Sequence, residues 1–232
     1  MRSVTEGASP VLEPESRSEA AYRAIEEMVV TLQLPPGTVT TEQKLCERTG
    51  FGRTPVREAL LRLSYGFLVT ILPRRGVLVR PVEVDYILMT IDIRQSVERL
   101  MVRRAARLAD DFQRRRLRDL AALIEEAAHA PDPLRFMRID DAFNRLLAKA
   151  AQHEVAARTF EPLHCVNRRA GFVYAGAEGK GLAETGREHV RIMHAIAAGN
   201  AAEAEAALDA LLAKSIEIAH ELSASQAREL VP

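Results

Sequence analysis

The chain has 232 residues, 47% of them hydrophobic, with 32 basic and 32 acidic side chains that cancel. That is enough apolar material for one large domain or two modest ones, which excludes a chain disordered throughout; the zero net charge excludes a global pull toward nucleic acid or membrane, so any such attraction must be regional. Cys46 and Cys165 lie far apart without zinc-finger or CxxC spacing, no signal-like segment opens the chain, and no apolar run approaches the roughly 20 residues of a membrane span, so a reduced, cytoplasmic, membrane-free setting is expected.

Residues 1–17 mix Pro, Ser, Glu and Gly without periodicity and are expected to form a flexible arm. From Ser18 the apolar residues Tyr22, Ile25, Val29 and Leu32 fall about one helical turn apart, with Glu26 and Glu27 off the stripe, until Pro35, Pro36 and Gly37 end the pattern. Thr40 with Gln43 three residues on fits a capping box for a short helix, "EQKLCERT", that Gly50 stops. After two residues of turn, Thr54 is expected to cap a third helix with Pro55 at its first position and Val56, Ala59, Leu60 and Leu63 facing inward. "FLVTIL" and "VLVR", joined by "PRRG", read as a β-hairpin with Arg74 and Arg75 at its tip and Gly76 closing it.

Residues 18–80 thus read as a winged helix-turn-helix. From 81 to 223 only helical periodicity remains, broken near Asp110, Ala130–Pro133, Gly176–Gly181 and Gly199–Asn200, which predicts an all-α bundle of about six helices, with 224–232 as a tail. The fold class is mostly α.

The stretch Gly50–Arg80 holds six arginines against one acid, Glu58. A helix-turn-helix lays its second helix in the major groove with the helix start against bases and phosphates, and Arg53, Thr54 and Arg57 stand there. Arginine can meet guanine through two parallel hydrogen bonds, and a wing carrying Arg74 and Arg75 adds phosphate or minor-groove contacts. An ordinary solvated face, with Glu58 pairing Arg62 four residues on, would explain single arginines. The order of capped helix, glycine turn, proline-started helix and basic hairpin favours double-stranded DNA.

The run "FGRTPVREALLRLSYGFLVTILPRRGVLV" resembles the DNA-binding domain of GntR-type bacterial transcription regulators, and the match extends upstream through "LPPGTVTTEQKLCERTG". Gly52 stands where that family usually has serine, which removes one phosphate contact. The resemblance implies DNA-binding roles for Gln43, Arg53, Thr54, Arg57, Arg74, Arg75 and Gly76. The helical remainder is similar to the FCD effector domain of the FadR subgroup, so the resemblance covers most of 18–222. It implies a homodimeric regulator, in most cases a repressor, that binds a palindromic operator and responds to a small-molecule effector.

In "DIRQSVERLMVRRAARLA" the subgroup's cavity arginine is Arg94, for which an ion pair with Glu98 is the alternative. Many members hold a divalent metal with an aspartate, a histidine four residues later and two further histidines. Here those places carry Asp140, Asn144, His189 and, by gapless alignment, Leu211. With two of four ligands replaced, no cofactor is required; a divalent metal on Asp140 and His189 would be weakly held, and the resemblance leaves Arg94, Asp140, Asn144 and His189 as effector-binding groups for a carboxylate or a less acidic ligand. His164 can face the cavity from the intervening helix, and of the adjacent Arg168 and Arg169, beside Asn167, only one can point inward.

An enzyme using Asp140 and His189 as a base pair or hydrolytic centre is the rival from another class. Neither GxSxG, HExxH, a phosphate-binding glycine loop nor a nucleophile beside a base is found, so no enzymatic activity is expected. A DNA-binding dimer that has lost ligand control is the remaining alternative.

Overall fold

A computed structural model describes residues 16–130 and 132–229, so the first fifteen residues of the expected arm fall outside it. Ser16 accepts the Glu19 N–H and caps α1, Arg17–Val30, so Arg17 already belongs to the helix. There follow β1, Val39–Thr40; α2, Glu42–Thr49; α3, Arg53–Tyr65; β2, Val69–Leu72; and β3, Gly76–Val79. The strands form an antiparallel sheet in the order β1-β3-β2, and Ile25, Val29, Leu45, Val56, Leu60, Leu63 and Val79 fill the core beneath them.

Two caps differ from expectation. Thr40 pairs with Val77 in β1, a strand too short to leave any alternation in the sequence, and is buried there; Thr41 therefore caps α2 by accepting the Lys44 N–H. Gly50 stops α2 at φ +73 as expected. Extended Gly52 precedes α3 without a side-chain cap, which makes Arg53 the first helical residue and moves Thr54 and Pro55 to the second and third. The proline still falls in the first turn, where no carbonyl waits for its missing N–H.

The second half is helical among the described residues: α4, Val84–Leu108; α5, Asp111–Ala128; α6, Pro133–Ala151; α7, Glu154–Ala175; α8, Leu182–Ala198; and α9, Ala201–Glu229. The break between α6 and α7 was not anticipated, because no glycine or proline marks it: Gln152 takes a left-handed conformation at φ +48 and the His153 ring caps the Ala156 N–H. α9 continues past Ser223 to Glu229. Phe136, Phe143, Met101, Leu117, Ile124 and Leu147 are fully buried in the bundle core. α8 sits close against α5 at Gly186, where a Cβ would come 2.5 Å from that of Ala128.

α7 is also the seam to the first half. Cys165 packs into the amino-terminal core, and a Cβ on Gly66 would lie 3.3 Å from Pro162. Arg62 reaches across it to bind Glu19 at 2.6 Å and Glu161 at 2.7 Å, with its guanidinium over the Tyr22 ring. This replaces the expected Glu58–Arg62 pair, since Glu58 takes the Ser18 hydroxyl instead. Glu26, placed off the apolar stripe, is only 4% exposed because α7 covers that side of α1 and brings Arg168 to it.

Arg168 and Arg169 are both buried, toward different neighbours. Arg169 donates Nη2 to the Arg80 carbonyl, its Nε has no partner, and burial pushes its pKa down to about 10. A buried charge without a carboxylate is costly to keep. Arg169→Met is therefore expected to match or exceed the wild type in resistance to urea; a loss of more than about 1.5 kcal/mol, the upper range for a net hydrogen bond, would mean that the bond to the linker outweighs the buried charge.

Candidate functional site: a basic surface and a buried polar cavity

Arg57 of the third helix and Gly76 at the base of the hairpin both meet the Thr40–Glu42 segment. Gly76 abuts the Thr40 carbonyl so closely that a Cβ would stand 2.2 Å from it, at φ +110, which seats the hairpin base against the start of α2. Arg57 of α3 binds Glu42 through both Nε, at 3.2 Å, and Nη2, at 3.0 Å. Arg53, Thr54 and Arg57 are exposed on the first turns of α3, and Arg74 and Arg75 are exposed in the three-residue turn between β2 and β3. Gln43 is exposed on α2, where its amide donates to Glu47 at 3.1 Å. Gln43, Arg53, Thr54, Arg57, Arg74 and Arg75 are thus all exposed, while Gly76 is set against the Thr40 backbone. The Glu42 pair holds Arg57 in an outward, pre-set position.

The second site lies inside the helical bundle. α4, α6, α7, α8 and α9 line a cavity of about 70 Å³ whose lining includes Arg94, Asp140, His164, Arg168, His189 and Leu211. Both alternatives for Arg94 hold at once, for it borders the cavity while pairing with buried Glu98 at 2.8 Å. Asp140 is the centre of the polar cluster: His189 Nε2 lies 2.9 Å from Oδ1, and His164 Nε2 lies 3.2 Å from Oδ2. Burial opposes the charge on Asp140, but the two imidazoles outweigh it and hold the carboxyl well below the usual range.

His189 has acceptors on both sides, since Nδ1 sits 2.8 Å from the Thr185 carbonyl and Nε2 faces Asp140. Both nitrogens must donate, so the ring is an imidazolium; burial works against that charge, and the bond to Asp140 more than restores it, leaving the pKa raised. Asn144 stands one layer back. Its Nδ2 donates to Asp140 Oδ1 at 2.9 Å and lies 2.8 Å from His164 Nε2, and it lines the groove beside α1, not the cavity.

This donor set does not fit the divalent metal that the resemblance brings to mind. A ligand must offer a lone pair, yet Asn144 presents an amide N–H and Leu211 presents hydrocarbon. Among the described residues no group of three or more His, Cys, Asp or Glu could hold a metal ion. The cluster is instead self-neutralising, with two imidazoles around one carboxylate.

Sequence reasoning left Glu26 out of the site and gave Arg168 only a place on the border. Their contact joins helices 142 residues apart in sequence, and no local pattern signals it. A buried position for Glu26 was legible only in hindsight, one residue from the apolar Ile25.

The family model for the FCD domain matches residues 90–214, and that for bacterial regulatory proteins of the gntR family matches residues 17–79. The HTH-type transcriptional repressor RspR of Escherichia coli K12 is 30% identical over 146 residues, covering 63% of this chain and 64% of that protein. The Nta operon transcriptional regulator of Aminobacter aminovorans is 27% identical over 132 residues, 57% of this chain and 62% of that one. The chain thus spans less than two thirds of the length of these curated relatives. Among solved structures, E. coli McbR/YncC superposes with a TM-score of 0.76 at 20% identity, covering 90% of this chain and 100% of that one. A GntR protein from Rhodococcus sp. RHA1 gives 0.66 at 22% identity over 88% and 98% of the two chains. These two likenesses speak for the fold.

Proposed function

Because this chain belongs to the FCD-domain group of the GntR family of bacterial regulatory proteins, we propose that it is a transcription regulator, a repressor, that binds a palindromic DNA operator as a homodimer and is controlled by a small molecule in the bundle cavity. The observation that carries the reading is that Arg53, Arg57, Arg74 and Arg75 are all exposed on α3 and the hairpin turn in a chain of zero net charge, with Arg57 and Gly76 both set against the Thr40–Glu42 segment. Two copies bring two such surfaces to the two halves of a palindrome. Exposed Met89 and Ile93, one turn apart on α4, supply apolar surface for contact between copies.

The reading makes the protein a binder and not an enzyme. Asp140 and His189 neutralise each other at 2.9 Å inside the bundle. No helix among the described residues is long and apolar enough to cross a membrane, which suits a protein acting on DNA in the cytoplasm.

The test begins by enriching operator fragments from genomic DNA on the purified protein. Arg53→Ala is expected to cost roughly 1–3 kcal/mol at the enriched site and to narrow its margin over random DNA. Arg74→Ala and Arg75→Ala should weaken binding to all sequences and flatten its salt dependence. Operator binding indifferent to all three substitutions would remove the helix-in-groove assignment.

A further inference from the structure

One buried arginine meets the linker between the two halves of the chain. Arg169 of α7 is 3% exposed. Its Nη2 donates to the carbonyl of Arg80, the residue that follows β3, while its Nε–H has no partner. Among the described residues no carboxylate pairs with it, and burial alone lowers its pKa, to about 10, so the group is still charged at neutral pH. A buried cation without a counter-charge carries a desolvation cost that an anion relieves, and a buried donor without an acceptor adds its own.

A small pocket sits against the same group. Its walls include Phe67 and Leu68 ahead of β2, Arg80 and Pro81 of the linker, and Val166 and Arg169 of α7, and its volume is about 20 Å³. One water-sized position takes roughly 10–15 Å³ on that scale, which leaves room for a single monatomic occupant and none for a carboxylate, phosphate or sulfate. The charged groups in the lining are Arg80, Arg169 and Glu83. Glu83 is half-exposed and already engaged by Arg80 at 3.4 Å. The uncompensated charge is therefore positive and belongs to Arg169. Mostly apolar walls favour an ion that gives up its water readily, which sets chloride above fluoride.

We propose that this pocket is a halide site, in which one chloride ion accepts the unpaired Nε–H of Arg169. Arg80 is the second cation of the site, with its guanidinium 4.7 Å over the ring of Tyr86 on the pocket wall. The ion ties α7 to residues 80–83, the segment that joins β3 to α4. With the ion in place the linker is held to α7 twice, through the Arg80 carbonyl and through the halide. Without it only the carbonyl bond holds. Because the unfolded chain has no such pocket, chloride stabilises the folded state by mass action. The advantage expected for Arg169→Met in urea is then greatest in the absence of chloride and shrinks as chloride is added. The proposal stands apart from the polar cavity of the bundle and does not depend on what the protein reads.

The test uses the full chain at constant ionic strength, with sodium chloride exchanged stepwise for sodium gluconate, whose anion is too large for the pocket. In wild-type urea unfolding, the unfolding constant should fall about elevenfold when chloride reaches ten times its dissociation constant. In Arg169→Met the same exchange should change it less than about twofold, which separates the site from general effects of salt. Exchange of the backbone amides of Val82 and Glu83 with solvent should slow by about twofold or more in chloride. Crystals of the wild type grown in sodium bromide should show an anomalous peak at hydrogen-bond distance from Arg169 Nε, and this measurement decides alone if Arg169→Met does not fold. Equal responses of wild type and Arg169→Met to the exchange of anions, or no bromide peak at Arg169, overturns the site. A peak at Arg169 with amide exchange at residues 82 and 83 unchanged by chloride overturns the tie to the linker.

Discussion

Gly76→Ala is expected to destabilise the protein by roughly 2–4 kcal/mol and to abolish operator binding even at concentrations where the chain remains folded. The position has φ +110, outside the range that L side chains adopt, and the added methyl would stand 2.2 Å from the Thr40 carbonyl oxygen. That oxygen is backbone in a paired strand, so it cannot swing away as a side chain would. Relief requires β1 and β3 to part, which frees the hairpin that carries Arg74 and Arg75 and disturbs Thr41, the cap of α2. Urea unfolding gives the stability change and a fluorescence titration gives the DNA affinity. A variant within about 1 kcal/mol of the wild type that still binds operator would mean that the sheet bends at Gly76 without strain.

Asp140→Ala is expected to cost about 3–5 kcal/mol, the usual penalty for stranding the partners of a buried carboxylate. It strands imidazolium His189 without its carboxylate and removes the acceptor facing His164, while Arg168 keeps Glu26 and Asp141. His189 can shed its proton, which places the result toward the lower end. The same substitution in a His189→Gln background should cost at least about 1 kcal/mol less, because two residues in contact do not add. Equal costs in both backgrounds, measured by urea unfolding, would show that the pair is not coupled.

The amino-terminal half was largely legible because its signals are local. Gly50, the inward stripe of Val56, Ala59, Leu60 and Leu63, and the "PRRG" turn each act within a few residues. One difference there came from β1: a two-residue strand held by pairing with β3 has no periodicity of its own, and it moved the cap from Thr40 to Thr41. In the bundle, the helices followed from aspartate, glycine, proline and asparagine breaks, except at Gln152 and His153, residues that seldom mark one.

The cavity was legible only in part. Asp140 and His189 came from the family pattern, and the fold brings them to 2.9 Å of each other. The set that replaces a metal was not foreseeable as a set, since it depends on how α7 turns His164 toward Asp140 and on which atom of the Asn144 amide faces the carboxylate. The partners of Arg62 and Arg168 were hidden for the same reason: each is chosen by the docking of α1 and α3 on α7, and sequence spacing carries no record of it.

That docking limits how the protein can be re-engineered. Cys165 and Val166 of α7 pack with the core of the amino-terminal half, Pro162 fits against Gly66, and Glu161 and Arg168 complete ion pairs that begin on α1 and α3. A chimera that grafts this DNA-reading half onto another sensor would cut through that surface, stranding Glu26 and exposing part of a core. The transplant should succeed only if the recipient's matching helix is rewritten with Glu161, Pro162, Cys165 and Arg168, so this reader is no free-standing cassette.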